Sequence, residues 1–210
     1  MKLKVCGLKY ERNIEELINL NIDYIGFIFY KKSARYVDES LNFDFVRQIP
    51  KHISKVGVFV NETAYNILNA IAHYNLDAVQ LHGDESEKMC EELKPYTKII
   101  KAFRIHDRFD FTALKNYLPH VDFFLFDTDT NTYGGSGQQF NWELLKNYVF
   151  DKPFFLSGGI DPSSNKQLQQ FKHLQLHAID INSKFEVSPA LKNIEKIKQF
   201  IQHINTNDNN

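Results

Sequence analysis

The chain has little cysteine, almost no net charge and no long apolar run, and each shortage removes a class of protein. Its two cysteines, Cys6 and Cys90, cannot staple a disulfide framework, and neither belongs to a CxxC-type metal-ligand pair. That usage fits a reducing, cytoplasmic setting. The formal net charge of −1 supplies no field that would gather nucleic acid or a membrane surface. An anionic ligand must therefore be held by local groups. No stretch is apolar enough to span a bilayer, and the basic start Met1-Lys2-Leu3-Lys4 lacks the apolar run of a signal peptide. No Pro/Gly/Ser-rich linker and no low-complexity block divides the 210 residues. We read one domain over residues 1–204 and a polar tail, 205–210, that frays.

What the chain does have is alternation. Short β-rich runs fall at Leu3–Cys6, Tyr24–Phe29, Val56–Val60, Ala78–Leu81, Lys98–Arg104, Asp122–Phe126, Pro153–Leu156 and His177–Ile181. Between them apolar residues recur at helical spacing, as in Ile14, Leu17 and Ile18, then Ile67, Leu68 and Ile71, and finally Leu191, Ile194, Ile197 and Ile201. Strands alternating with helices imply parallel βαβ units and an α/β fold. Roughly eight units in about 200 residues suit a small (β/α)8 TIM barrel, with a doubly wound open sheet as the competing architecture.

In a barrel, chemistry sits at the carboxyl ends of the strands. That rule selects Cys6-Gly7, Asn61, His82-Gly83, Arg104, Asp127, Ser157-Gly158-Gly159 and Asn182-Ser183. Polar groups and glycines gathered at one end of a barrel make a site hypothesis. Period-two alternation puts Lys4 and Cys6 on one face, where an ammonium would favour the thiolate. The alternative is a small buried cysteine beside a lysine paired in the barrel interior. Asp127 shares a face with Phe123 and Leu125, an apolar row whose desolvation would help a carboxyl keep its proton. Its other reading is a helix cap or loop carboxylate. His82 and Gln80 share a face and either serve a ligand or only fill the barrel mouth.

Several segments carry a resemblance: Lys4-Val5-Cys6-Gly7-Leu8, Gly26-Phe27-Ile28-Phe29-Tyr30 with Ser33-Ala34-Arg35-Tyr36, and Val56-Gly57-Val58-Phe59-Val60-Asn61. They continue with Gln80-Leu81-His82-Gly83-Asp84-Glu85, Asp127-Thr128, and Gly134-Gly135-Ser136-Gly137 before Phe140-Asn141-Trp142. Leu156-Ser157-Gly158-Gly159-Ile160 and Asp180-Ile181-Asn182-Ser183 complete the set. In this order, and across nearly the whole chain, they resemble the phosphoribosylanthranilate isomerase family of tryptophan biosynthesis. The chain departs from it at Lys184 and Ala190, where the family usually has glycine, and at Asn141, where it usually has aspartate. A glycine at 184 would suit close backbone approach to a phosphate and a positive φ, so lysine there is expected to be strained.

The resemblance implies an Amadori rearrangement of an aminoaldose to an aminoketose, with no metal and no organic cofactor. An acid protonates the furanose ring oxygen so that the ring opens to a Schiff base, and a base removes the C2′ proton. By resemblance Cys6 is the base and Asp127 the acid. Arg35 grips the anthranilate carboxylate through a two-toothed contact. His82, Gly158, Gly159, Asp180, Asn182 and Ser183 are expected to bind the phosphosugar, with backbone N–H groups after the seventh and eighth strands holding phosphate. Asp180 takes a ribose hydroxyl or is buried and paired, and Gly134–Gly137 forms a lid. The expected partner is this small molecule, handled by a monomer or homodimer. Rival readings are a non-catalytic phosphosugar-binding barrel, the histidine-pathway isomerase, which uses an aspartate at the Cys6 position, and the indole-glycerol-phosphate-forming barrel, whose lysine and glutamate pairs are not seen here.

Overall fold

The structure is a computed structural model, and it describes residues 1–37, 41–128 and 140–205. Eight parallel strands close into a barrel in sequence order: β1 (Lys2–Cys6), β2 (Tyr24–Ile28), β3 (Ser54–Phe59), β4 (Ala78–Leu81), β5 (Lys98–Ile105), β6 (Phe123–Thr128), β7 (Phe154–Leu156) and β8 (Leu176–Ile181). Closure, with β1 paired to both β2 and β8, rules out the open sheet. The predicted lid Gly134–Gly137 and residues 206–210 of the tail lie outside the described residues.

Alternation along each strand separates two cores. Tyr24, Val56, Ala78, Ile100, Ala102, Leu125, Phe155 and Ala178 fill the barrel interior, with Phe123 packed against them. The opposite faces, among them Val5, Phe27, Val79, Phe124, Phe126 and Ile179, pack on the helical layer. Burial on both faces is why these strands read as near-continuous apolar runs.

Helices α1 (Glu11–Ile18), α2 (Phe43–Arg47), α3 (Ala64–Tyr74), α4 (Glu87–Leu93), α5 (Asn165–Gln170) and α6 (Ile194–Asn205) surround the barrel. After β5 and β6 the connections are 3₁₀ turns, Phe111–Tyr117 and Trp142–Asn147. Asn141 caps the second by accepting from the Glu143 N–H at 3.0 Å. Asparagine caps as well as aspartate does, so this departure from the family leaves the local fold intact.

The last helical pattern begins later than its spacing suggests. Leu191 belongs to a short hairpin, β9 (Glu186–Ser188) with β10 (Leu191–Lys192), and α6 starts only at Ile194. The hairpin turn holds Ala190 at φ +69°. Lys184 is not among the positive-φ residues described, so the strain expected at 184 falls at Ala190 instead. Both are positions where the family usually has glycine, and the turn geometry selects the second.

Candidate active site

Strand register builds the site. Lys4 stands beside Asp180 across the β1–β8 pair, and Cys6 beside Gly26 across β1–β2. The Lys4 Nζ donates to Asp180 Oδ2 at 2.9 Å, with the lysine side chain fully buried and the aspartate 5% exposed. Asp180 is thus buried and paired, one of its two expected states. Burial pulls the Lys4 pKa down, but the Asp180 carboxylate and then Cys6 raise it further, so the ammonium persists.

That pairing changes the expectation for Cys6. The side chains of Lys4 and Cys6 are hydrogen-bonded and Lys4 favours the thiolate, yet burial outweighs it and Asp180 adds to the upward push. The net displacement of the Cys6 pKa is upward from 9.0. The thiol form is favoured, chiefly because the side chain is buried and secondarily because the Asp180 carboxylate opposes the ammonium. Space is tight as well: a Cβ on Gly26 would lie 2.7 Å from the Cys6 Sγ.

Asp127, near the end of β6, faces the same barrel mouth. Its Oδ1 accepts from the Thr128 N–H at 2.8 Å, and its Oδ2 lies 3.2 Å from His82 Nε2. It is therefore neither a helix cap nor a solvated loop charge. His82 Nδ1 lies 2.7 Å from Gln80 Nε2, which places both members of the predicted β4 pair in one chain of contacts. The loop beyond His82 is tied down from beneath. Glu85 accepts from the N–H groups of Asn61 and Gly83 and from Lys101 Nζ at 3.0 Å.

Gly158, after β7, closes the acid's other side. Its φ is +88°, and a Cβ there would stand 2.3 Å from Thr128 Oγ1 and 2.9 Å from Asp127 Oδ1. The N–H groups of Gly158, Gly159 and Ser183 have no hydrogen-bond partner among the described residues. They are unclaimed donors at two adjacent strand ends.

Arg35 is largely shielded, and it already holds a carboxylate. Its Nε and Nη2 donate to Glu186, at 2.9 Å to Oε1 and 2.7 Å to Oε2. The same Glu186 accepts from buried Lys192 Nζ at 2.6 Å and from the Ala190 N–H at 3.1 Å. Lys192 Nζ also donates to Asn182 Oδ1 at 2.7 Å. Burial pushes Glu186 up, but the hydrogen bond from Arg35 and the charge of Lys192 bring its pKa down overall.

Comparison with known proteins decides what this arrangement belongs to. The family profile described as N-(5'-phosphoribosyl)anthranilate (PRA) isomerase matches residues 3–203. The chain belongs to the phosphoribosylanthranilate isomerase family. The N-(5'-phosphoribosyl)anthranilate isomerase of Parabacteroides distasonis is 44% identical over 209 residues, covering 97% of this chain and 93% of that one. The phosphoribosyl anthranilate isomerase structure from Thermotoga maritima superposes with a TM-score of 0.87 at 32% identity, over 97% and 98% of the two chains. A third family structure, 29% identical with a TM-score of 0.83 and the same coverage, is a complex with reduced 1-(o-carboxyphenylamino)-1-deoxyribulose 5-phosphate.

Within the family's barrel, every residue predicted for the site other than those outside the described residues lies at or near the carboxyl end of a strand or in a loop that follows one. Reasoning from the sequence missed Glu186 and Lys192. The available signal was the pair of departures at 184 and 190, which bracket a turn rather than a helix. Among the described residues no helix is long and apolar enough to cross a membrane.

Proposed function

We propose that this chain isomerises N-(5'-phosphoribosyl)anthranilate to 1-(2-carboxyphenylamino)-1-deoxyribulose 5-phosphate, with Cys6 as base and Asp127 as acid. The observation that carries the reading is a thiol and a carboxyl held at the ends of β1 and β6 at one barrel mouth, in a chain of this family. Asp127 donates its Oδ2 proton to the furanose ring oxygen, the ring C–O bond breaks, and a Schiff base remains. Cys6, in its thiolate form, then takes the C2′ proton and becomes the thiol, and the enolamine formed tautomerises to the ketone.

The other residues divide by what they can hold. Gly158, Gly159 and Ser183 offer N–H donors to the phosphate, as loops after the seventh and eighth strands of such barrels do. Arg35 takes the anthranilate carboxylate on the guanidinium edge not turned to Glu186, through the paired hydrogen bonds a guanidinium offers a carboxylate. Asp180 and Asn182 act on the sugar through Lys4 and Lys192, since each already accepts from its lysine. A simple binding barrel would need neither the thiol nor the carboxyl. All these groups come from one chain, so the chemistry requires no second subunit. Two free, buried cysteines suit work in a reducing cytoplasm.

The test is an assay of the purified protein with N-(5'-phosphoribosyl)anthranilate, beside Cys6→Ser and Asp127→Asn. Turnover by the wild type and a loss of about a hundredfold or more in kcat for each variant is expected, with product binding retained. A near-normal rate in folded Cys6→Ser removes the thiol from the mechanism. A wild type that binds product but never turns over substrate returns the chain to the binding-barrel reading.

A further inference from the structure

Lys101 and Glu85 form an ion pair that the chemistry of the site does not use, because it lies behind the barrel wall. The register neighbours of Lys101 are Leu81 and Phe124, both in the outer layer packed on the helices. Lys101 Nζ and Glu85 Oε2 are 3.0 Å apart, and each side chain is 2% exposed. Buried there, neither side chain can touch a substrate at the barrel mouth. What the pair does hold is backbone. Lys101 Nζ donates to the carbonyls of Leu81 at 3.3 Å, Gly83 at 2.8 Å and Ala102 at 3.2 Å. Glu85 accepts from the Asn61 N–H at 2.8 Å and the Gly83 N–H at 2.9 Å. The Glu85 carbonyl in turn accepts from Tyr117 Oη at 3.2 Å.

Between Leu81 and Gly83 stands His82. The peptide before it is held at its carbonyl by Lys101 and at its N–H by the Phe59 carbonyl, 2.8 Å away. The peptide after it is held at the Gly83 N–H by Glu85, and the next carbonyl is held again by Lys101. Peptide units are planar, so fixing the two on either side of a residue fixes the direction of its Cα–Cβ bond. The His82 ring then stands with Nε2 3.2 Å from Asp127 Oδ2 and Nδ1 2.7 Å from Gln80 Nε2. The contact with Asp127 is already at the long end of a hydrogen bond, so it has little slack.

We propose that Lys101 and Glu85 are positioning residues for the reaction: from behind the barrel wall they fix the backbone on both sides of His82, and through His82 they hold the Asp127 carboxyl in place. The proposal rests on the reading of Asp127 as the acid. For stability alone, a packed apolar pair often serves as well as a buried ion pair. It would offer the loop nothing to hold. The lysine serves three carbonyls, the glutamate two N–H groups, and their opposite charges offset each other's burial. The fit around the anchor is close. A Cβ on Gly83 would stand 2.3 Å from Asn61 Oδ1 and 2.8 Å from the Asn61 backbone nitrogen, so the loops after β3 and β4 move together or not at all. Misplacing a catalytic group by about 1 Å costs up to about a hundredfold in rate, even when the cause lies far from the chemistry.

The experiment compares Lys101→Met, Glu85→Gln, His82→Ala and their double variants in the whole protein, by kinetics and by imidazole NMR spectra. With N-(5'-phosphoribosyl)anthranilate, Lys101→Met should lower kcat about tenfold or more while changing KM less than about threefold. Added to His82→Ala, the same substitution should lower kcat less than about twofold, because the group it positions is already gone. Losses that multiply in the double variant overturn the proposal. The spectra need no turnover. In Lys101→Met and Glu85→Gln the His82 ring signals should shift or broaden, while those of His177, which meets Tyr24 at the amino end of β8, stay in place. Unchanged His82 signals overturn the proposal, and so do equal changes at both histidines, which mark a purely structural role. Glu85→Gln keeps an acceptor for the loop amides, so it carries the same comparisons if Lys101→Met fails to fold. In the wild type itself, the Asn61 and Gly83 amides should exchange at least about a hundredfold more slowly than open loop amides, and fast exchange overturns the anchor. Failure of the functional reading shows separately, as Asp127→Asn retaining wild-type turnover.

Discussion

Replacing Lys4 with methionine should be among the most damaging single changes available in the barrel interior, and its cost should grow with pH. Methionine has nearly the length of the lysine stem, so packing is largely kept and the loss is electrostatic. The Lys4–Asp180 contact is 2.9 Å, with side-chain exposures of 0% and 5%. Removing one partner of a pair this buried costs about 3–5 kcal/mol, because the other charge is left without compensation. For a chain of this size that is a fall of roughly 6–20 °C in Tm. Burial already pushes the Asp180 carboxyl up, and Lys4 is the largest group pulling it down. In Lys4→Met the folded pKa of Asp180 therefore stands further above its ordinary 3.8. A carboxyl raised in this way stabilises the fold below its unfolded pKa, and that contribution is lost as the pH rises through the folded value. The deficit of the variant against wild type must then widen from mildly acid to alkaline solution. Urea unfolding at several pH values measures it, and Lys4→Met with Asp180→Leu should recover most of the loss, because a packed apolar pair can replace a buried ion pair. A single-variant cost below about 1 kcal/mol, or one independent of pH, would refute the reasoning.

Gly158→Ala should cost roughly 2–4 kcal/mol, since it places a side chain at φ +88° with its Cβ 2.3 Å from Thr128 Oγ1. The same change should lower kcat through the displaced Asp127, and a folded variant with the wild-type rate would contradict this. Ala190→Gly should raise Tm by about 2–4 °C by relieving a left-handed residue, φ +69°, while keeping its N–H on Glu186. A lowered Tm counts against strain at the turn. Because burial displaces the Cys6 pKa upward from 9.0, the thiolate absorbance of Cys6 in the folded protein should rise only in alkaline solution. A thiolate already formed at neutral pH would contradict the upward displacement.

The sequence by itself determined the βαβ alternation and the cast of the site, and closure of the sheet into a barrel decided between the two architectures it allowed. Strand runs of four to seven residues alternating with helical patterns imply parallel βαβ units, and apolar faces on both sides of a strand call for cover on both, which a barrel and a doubly wound sheet each provide. Period-two alternation placed Lys4 with Cys6, Phe123 with Asp127 and Gln80 with His82, because side-chain direction along a strand is local geometry. Tertiary structure alone decided which groups face each other across strands. Lys4 meets Asp180 at a separation of 176 residues, and Arg35 meets Glu186 at a separation of 151. No local pattern encodes such pairs, since they follow from barrel closure and register. For the same reason the sequence overstated the pull of Lys4 on the thiol. Burial of the thiol, set by barrel packing, is the larger opposing effect, and the closed barrel also brings the Asp180 carboxylate against the ammonium. The hairpin from Glu186 to Lys192 was hidden likewise: its apolar residues match helical spacing until the left-handed turn at Ala190 and the buried contacts of Glu186 draw the chain back over the site.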